Sequence, residues 1–302
     1  MSKILKVNKP SDYSSWVGQT DPHELVSVID YSNVAPLRMS LNRYEVYGLF
    51  LMGDDDSFDL IYGAGQYDYS AGTLICVAPG QLGGKEDTGE SVYLTGWAVL
   101  FHPDLLQGTG LERDIHSFSF FEYRVSEALH MTPEERDIMI ALMRQLQHEL
   151  QFPSDDHIQN RIIVGFINLL LRYSQRFYDR QFVTRKVINN DVLTRFEQLL
   201  HDYFENGRQL ESGIPTVQYC AEKLCMSPNY LSDLMKKTTG ETAGAYIKHY
   251  VIQLAKNRLF SGMKSSEVAY SLGFDYPQHF ARMFKNLEGI TPSEYVRRRT
   301  SH

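Results

Sequence analysis

A chain of 302 residues is long enough for two domains that each bury a core, and its 43% hydrophobic and 22% charged residues are ordinary for a soluble globular protein. No apolar run approaches the roughly 18–20 residues that span a bilayer; the longest, 162–171, is interrupted by Gly165 and Asn168. The net charge of −7 argues against a uniformly basic surface, but Lys and Arg number 16 against 25 Asp and Glu over residues 1–190, 14 against 12 over 191–302, and 11 against 5 over 236–302.

The opening MSKILKVNKP lacks an apolar core, so no signal peptide is expected. Cys76, Cys220 and Cys225 are too few and too scattered for a disulfide framework, and reduced thiols in the cytoplasm are expected. Residues 1–30, with Trp16 in a polar setting, read as a loosely packed arm. From about 31 to 106 the pattern is β. Short apolar or alternating runs at 44–51, 58–62, 73–78 and 92–101 are separated by turn clusters such as Gly53-Asp54-Asp55-Asp56, Gly63-Ala64-Gly65 and Pro79-Gly80. Many short strands without intervening helices predict a small barrel or jelly roll.

The aromatic residues Tyr44, Tyr47, Phe50, Phe58, Tyr62, Tyr67, Tyr69, Tyr93 and Trp97 either fill that barrel or line a pocket for a small-molecule effector. A sugar would stack on such faces, though nothing in the residues selects one. A metal-dependent enzyme needs clustered His and carboxylate ligands, and residues 31–106 hold only His102. Asp54-Asp55-Asp56 reads as a solvated turn, and Gly83-Gly84-Lys85 lacks the ending of a phosphate loop. No catalytic residue, metal or cofactor is assigned.

After His102-Pro103 the pattern becomes helical. Thr132-Pro133-Glu134-Glu135 carries an N-cap, a Pro in the first turn and acids near the N-terminus, opening a helix that stops before Pro153. A second helix, about 155–178, is apolar around more than one face (Ile158, Ile162, Ile163, Phe166, Ile167, Leu169, Leu170, Tyr173, Phe177), which fits a homodimer interface or a helix sandwiched within the core. Residues 181–190 read as a polar linker. An amphipathic helix follows over 191–206 and ends at Gly207.

Two similar units come next. In the first, a short helix over 217–224 meets the turn Cys225-Met226. Ser227-Pro228 then caps a helix with Leu231, Leu234 and Met235 inward and Asn229, Ser232, Asp233 and Lys236 outward. In the second, the short helix 266–272 meets Gly273, and the next helix buries Phe280, Phe284 and Leu287 while presenting Gln278, His279, Arg282 and Lys285. Gln and Arg form bidentate contacts with adenine and guanine edges in the major groove; Asp accepts from cytosine. Thr291-Pro292-Ser293-Glu294 is a capping box opening a last helix that ends in Arg297-Arg298-Arg299, suited to phosphate. The spacer 242–261 would be a helix roughly 30 Å long, against about 34 Å between successive major grooves on one face of B-DNA. Two helix-turn-helix units one groove apart, on double-stranded DNA, are the expectation.

These residues resemble a family. SPNYLSDLMKKTTGETAGAYI from Ser227, AKNRLF from Ala255 and SSEVAYSLGFDYPQHFARMFKNLEGITPSEYVRRR from Ser265 are similar to the AraC/XylS family of bacterial transcription regulators, over about residues 191–300. AGTLICVAPGQ and GWAVLFHPDLL resemble, less closely, the family's regulatory domain. The resemblance implies an α+β protein: a cupin-like β-barrel with flanking helices at the N-terminus, within a regulatory and dimerisation domain over 1–180, and an all-α DNA-binding domain over 191–302. It implies promoter binding, a small molecule in the barrel shifting activity, homodimers, contact with RNA polymerase and activation of transcription. A dimeric regulator without a ligand is the alternative, and a cupin-type enzyme a remote one. Cys225-Met226 departs from the Gly that many members carry in the first turn, and the first recognition helix has no Arg among Asn229, Ser232 and Asp233.

Overall fold

The computed structural model describes residues 4–53, 72–85, 87–124, 127–152, 157–184 and 186–300. The chain divides into two compact units, Met1–Gln181 and Phe182–His302.

In the first unit the strands are β1 (Leu5–Val7), β2 (Val26–Asp30), β3 (Leu37–Arg38), β4 (Leu41–Tyr44), β5 (Tyr47–Met52), β6 (Thr73–Val77), β7 (Leu82–Gly84), β8 (Ser91–Val92), β9 (Gly96–Phe101) and β10 (Leu129–His130). Helices α1 (Pro10–Trp16), α2 (Gly110–Asp114), α3 (Pro133–Leu150) and α4 (His157–Thr184) accompany them, the last three residues of α4 falling in the second unit. Five strands pair antiparallel in the order β10-β6-β5-β9-β2; β1-β4-β7 and β3-β8 are separate ladders, β1 running parallel to β4. Among the described residues these ladders do not close into one ring, so the expected closed barrel is not what they define. The expected strand over 58–62, its flanking turns and the Asp54-Asp55-Asp56 tip lie outside the described residues.

The central pair β5 and β9 supplies the fully buried Leu49, Ala98, Val99, Leu100 and Phe101. Gly96 begins β9 at φ +96, where a Cβ would run into the carbonyl oxygen of Leu51, so a tight backbone approach fixes this residue type.

Residues 4–30 correct the expectation of a loose arm. Val7, Tyr13, Val17 and Ile29 are in the core, the Tyr13 and Tyr31 hydroxyls meet at 2.7 Å, and the buried Ser14 Oγ lies 2.7 Å from both Asp21 and Ser27. The polar residues that suggested an arm are thus paired with one another, which makes their burial affordable in free-energy terms.

The helices follow their local signals more closely. Thr132 Oγ1 accepts from Glu135 N at 3.3 Å while Glu135 returns a carboxylate to Thr132 N at 3.0 Å, the expected capping of α3. The segment expected to be a linker, 181–190, contains the division between the two units and is helical on both sides of residue 185; no proline or glycine in it breaks a helix. The end of α4 is fastened to β10. Arg180 donates to both carboxylate oxygens of Glu135 at 2.9 and 2.7 Å and to the His130 carbonyl at 2.7 Å, and Gln181 accepts from His130 N at 2.8 Å.

The second unit is helical throughout its described residues: α5 (Lys186–Glu205), α6 (Gln209–Ser212), α7 (Val217–Lys223), α8 (Pro228–Thr239), α9 (Ala243–Phe260), α10 (Ser265–Ser271), α11 (Pro277–Glu288) and α12 (Pro292–Thr300). The α5 face of Val192, Phe196, Leu200 and Tyr203 is buried, as its spacing predicts. Tyr203 and Phe204 join a core with Val251, Ile252, Ala255 and Leu259 of α9 and with Val268, Ala269, Phe280 and Phe284 of α10 and α11.

Candidate nucleic-acid interface

Each helix-turn-helix unit is set by local chemistry. Thr216 Oγ1 caps α7 by accepting from Tyr219 N at 3.1 Å. The turn closes with Cys225 N donating to Glu222 O at 3.1 Å and Met226 N to Ala221 O at 2.8 Å. Ser227 Oγ accepts from Tyr230 N at 3.2 Å, Pro228 fixes the first turn, and α8 buries Tyr230, Leu231, Leu234 and Met235. It ends at Gly240, left-handed at φ 85.

The turn of the second unit repeats that of the first bond for bond. Gly273 N donates to Tyr270 O at 3.0 Å and Phe274 N to Ala269 O at 3.1 Å; α11 begins at Pro277, buries Phe280 and Phe284, and ends at the left-handed Gly289. Ala221 corresponds to Ala269, Leu224 to Leu272 and Cys225 to Gly273, 48 positions apart. The second turn carries one more residue, so from Pro228 and Pro277 onward the correspondence is 49 positions, through Gly240 and Gly289 to Thr242 and Thr291.

That register aligns the outward faces. Gln278 stands where Asn229 stands, Arg282 where Asp233 stands, and Lys285 where Lys236 stands. Gln278, His279, Arg282, Lys285 and Lys236 are exposed; Asn229, Ser232 and Asp233 have intermediate exposure. The His279 ring lies 5.4 Å from Tyr276 at 71°. Arg297 and Arg298 are exposed on α12. At the start of that helix the Thr291 backbone N–H and hydroxyl donate to Glu294 at 2.8 and 2.9 Å. Those bonds, with smaller help from the charges of Lys285 and Arg297, hold the Glu294 carboxyl below its ordinary range.

Helix α9 packs against α8, α10, α11 and α12. Its 18 residues span roughly 27 Å at 1.5 Å per residue. Lys256 ties it to α11 by a 2.7 Å bridge to Glu288, and Arg258 donates to Ser271 Oγ at 2.6 Å. Neither residue stands out in the sequence. Gln209, buried in α6, donates from Nε2 to Ser271 O at 3.1 Å, a contact across 62 positions that no local pattern reveals.

In the first unit the aromatic candidates separate. Tyr44, Tyr47, Phe50 and Trp97 are buried, with Tyr44 packed 5.7 Å from Phe50 and Tyr47 stacked 5.2 Å from Phe101, whereas Tyr93 is 74% exposed. Phe58, Tyr62, Tyr67 and Tyr69 lie outside the described residues. His102 Nδ1 accepts from Asp104 N at 3.2 Å, and no three metal-ligating side chains gather among the described residues. Along α4, Ile163, Ile167, Leu170 and Phe177 are buried, while Ile158, Ile162 and Leu169 stay exposed. No helix among the described residues is long and apolar enough to cross a membrane.

Comparison with known proteins adds the following. Residues 220–298 match a family described as a helix-turn-helix domain. The chain is 34% identical over 104 residues to YtdP of Bacillus subtilis (strain 168), an uncharacterized HTH-type transcriptional regulator, covering 34% of this chain and 13% of that protein. It is 35% identical over 80 residues to the uncharacterized transcriptional regulatory protein YesN of the same organism, covering 26% and 22%. The chain therefore spans under a quarter of the length of these relatives. Among solved structures, the C-terminal domain of AraT, a response regulator from Geobacillus stearothermophilus, is 26% identical with a TM-score of 0.31, over 35% of this chain and 84% of that one. ToxT from Vibrio cholerae is 12% identical with a TM-score of 0.30, over 90% and 96%.

Proposed function

We propose that the protein is a sequence-specific DNA-binding regulator of transcription of the AraC/XylS type, a reading supported by the match of residues 220–298 to a helix-turn-helix domain. The observation that carries this reading is the duplicated unit with Gln278, Arg282 and Lys285 exposed on one helix and their counterparts at matched positions on another. Side chains at such positions reach base edges, and flanking cations such as Arg297 and Arg298 hold the register on phosphate. At roughly 27 Å, α9 is long enough to hold the two reading helices about one turn of DNA apart, which supports double-stranded DNA bound along one face as the target.

Mapping bound fragments from the source genome supplies a target duplex. On that duplex Arg282→Ala is expected to weaken specific binding by roughly 10-fold or more, since a bidentate Arg–guanine pair is worth about 1–3 kcal/mol, with an unchanged far-ultraviolet circular dichroism spectrum. Unaltered affinity of the variant overturns the assignment.

The first unit is proposed to act in dimerisation, supported by the exposed apolar residues of α4. Ile158, Ile162 and Leu169 are 63%, 39% and 42% exposed at spacings that keep them on one side of the helix.

A further inference from the structure

We propose that Asp233 is the specificity-determining residue of the first helix-turn-helix unit and that it selects a cytosine, so that the two halves of the DNA target differ in sequence. This rests on the reading of α8 and α11 as base readers.

The internal repeat carries the inference. The bond pattern of the two turns is the same, both reading helices begin at a proline and end at a left-handed glycine, and the 49-position register holds across that length. Two of the three aligned outward positions keep their chemistry: Asn229 and Gln278 are both carboxamides, and Lys236 and Lys285 are both ammonium groups. Only the middle position inverts, from the cation of Arg282 to the anion of Asp233. The three aligned outward positions are therefore matched frames whose charge differs at the middle one alone; the other charge differences, Lys237 against Asn286 and Thr239 against Glu288, fall near the C-terminal ends of the helices.

A carboxylate at that position has one favourable partner in the major groove. Guanine presents only acceptors there, N7 and O6, and thymine presents O4 beside a methyl group. Adenine offers its N6 amino group, but beside the N7 lone pair. Cytosine offers an N4 amino group with no neighbouring acceptor on the same base. A carboxylate facing an acceptor is desolvated and repelled, so Asp233 works chiefly by rejecting the wrong bases. Arg282 does the reverse, drawing guanine and disfavouring donors. The carboxamides of Asn229 and Gln278 suit adenine in both halves. The target is thus an imperfect direct repeat whose halves share an adenine and diverge at a cytosine and a guanine.

The test is selection from a randomised duplex library by the full chain, followed by sequencing of the bound fraction. Wild type is expected to enrich a C·G pair at one column about one helical turn, roughly 10 base pairs, from the column set by Arg282. Asp233→Ala is expected to flatten that column alone, losing a preference of roughly 10-fold, the scale of a good base contact. Asp233→Asn, which keeps the shape, is expected to replace cytosine by adenine there. A selected sequence unchanged in both variants overturns the proposal. Arg282→Ala separates the two readings. If it flattens its own column while the Asp233 variants change nothing, base reading stands and the role of Asp233 falls. If wild type enriches no sequence, both fall.

Discussion

Cys225 and Gly273 occupy the same place in two copies of one turn, and both are left-handed, at φ 61 and φ 86. Cys225 is the one non-glycine residue with positive φ among the described residues. An L side chain in this region costs roughly 1–2 kcal/mol, partly offset by the smaller entropy a cysteine loses on folding compared with glycine. Cys225→Gly is therefore expected to stabilise the chain by up to about 1 kcal/mol, and Cys225→Val, which adds branching at Cβ, to destabilise it by about as much. Urea denaturation midpoints of the three proteins check both signs.

Exposure separates the thiols as well. Cys225 is exposed, while Cys76 and Cys220 are buried. Burial pushes the Cys76 thiol up and that of Cys220 up to about 12. A thiol-specific chromogenic reagent at pH 8 is expected to label one cysteine rapidly in the native protein and three in denaturant; rapid native labelling of all three contradicts this burial. The raised values also fix a sign. These two thiols leave stability independent of pH below the ordinary thiol range, and stability falls as the pH rises from about 9 toward 12, because the unfolded chain releases protons that the folded chain retains.

Gly273 is less replaceable than Cys225. Besides its φ of 86, a Cβ there would lie 2.5 Å from the carbonyl oxygen of Gln209. Gly273→Ala is expected to cost about 2 kcal/mol or more, exceeding the left-handed penalty alone. A denaturation midpoint matching wild type would show that α6 moves aside.

Arg180 joins three parts of the first unit, since the Glu135 it binds is also the residue that completes the α3 cap. Arg180→Ala leaves that largely buried carboxylate without its cation and is expected to destabilise by roughly 2–3 kcal/mol, below the full cost of a broken buried pair because Arg180 is partly solvated. Thermal unfolding of Arg180→Ala and Arg180→Lys separates charge from geometry; Lys retains the charge but not the two-pronged contact.

Ile162 lies on the exposed side of α4, one residue from the buried Ile163. Ile162→Glu is expected to give a monomer by light scattering with an unchanged circular dichroism spectrum. A monomeric wild type refutes α4 as the dimer surface.

The helices of the second unit were legible because their signals are local. Ser227, Thr242 and Thr291 cap, Pro228, Pro277 and Pro292 start, and Gly240 and Gly289 stop, all within a few residues of the element they define. The charge inversion between Asp233 and Arg282 is equally plain in the sequence. The first unit is harder because its ladders join distant stretches: β1 pairs with β4 across 37 positions, Leu5 with Asn42, and β10 with β6 across 55, Leu129 with Leu74. Ser14 and Ser27 look like surface residues until each is seen to be the other's partner. The helical character of 181–190 is not legible for another reason, since polarity describes exposure and does not by itself oppose a helix.

The seat of Gly273 against Gln209 also bears on how the second unit can be divided. The turn of its later repeat is backed by chain that precedes the earlier one, so the two repeats are not beads that can be cut apart. A fragment beginning at Val217 would retain every residue of both reading helices yet strip the backing from the more distant turn. The shortest self-sufficient reader of DNA in this chain should begin upstream of Val192, at the head of the helix whose Phe196, Leu200 and Tyr203 are buried.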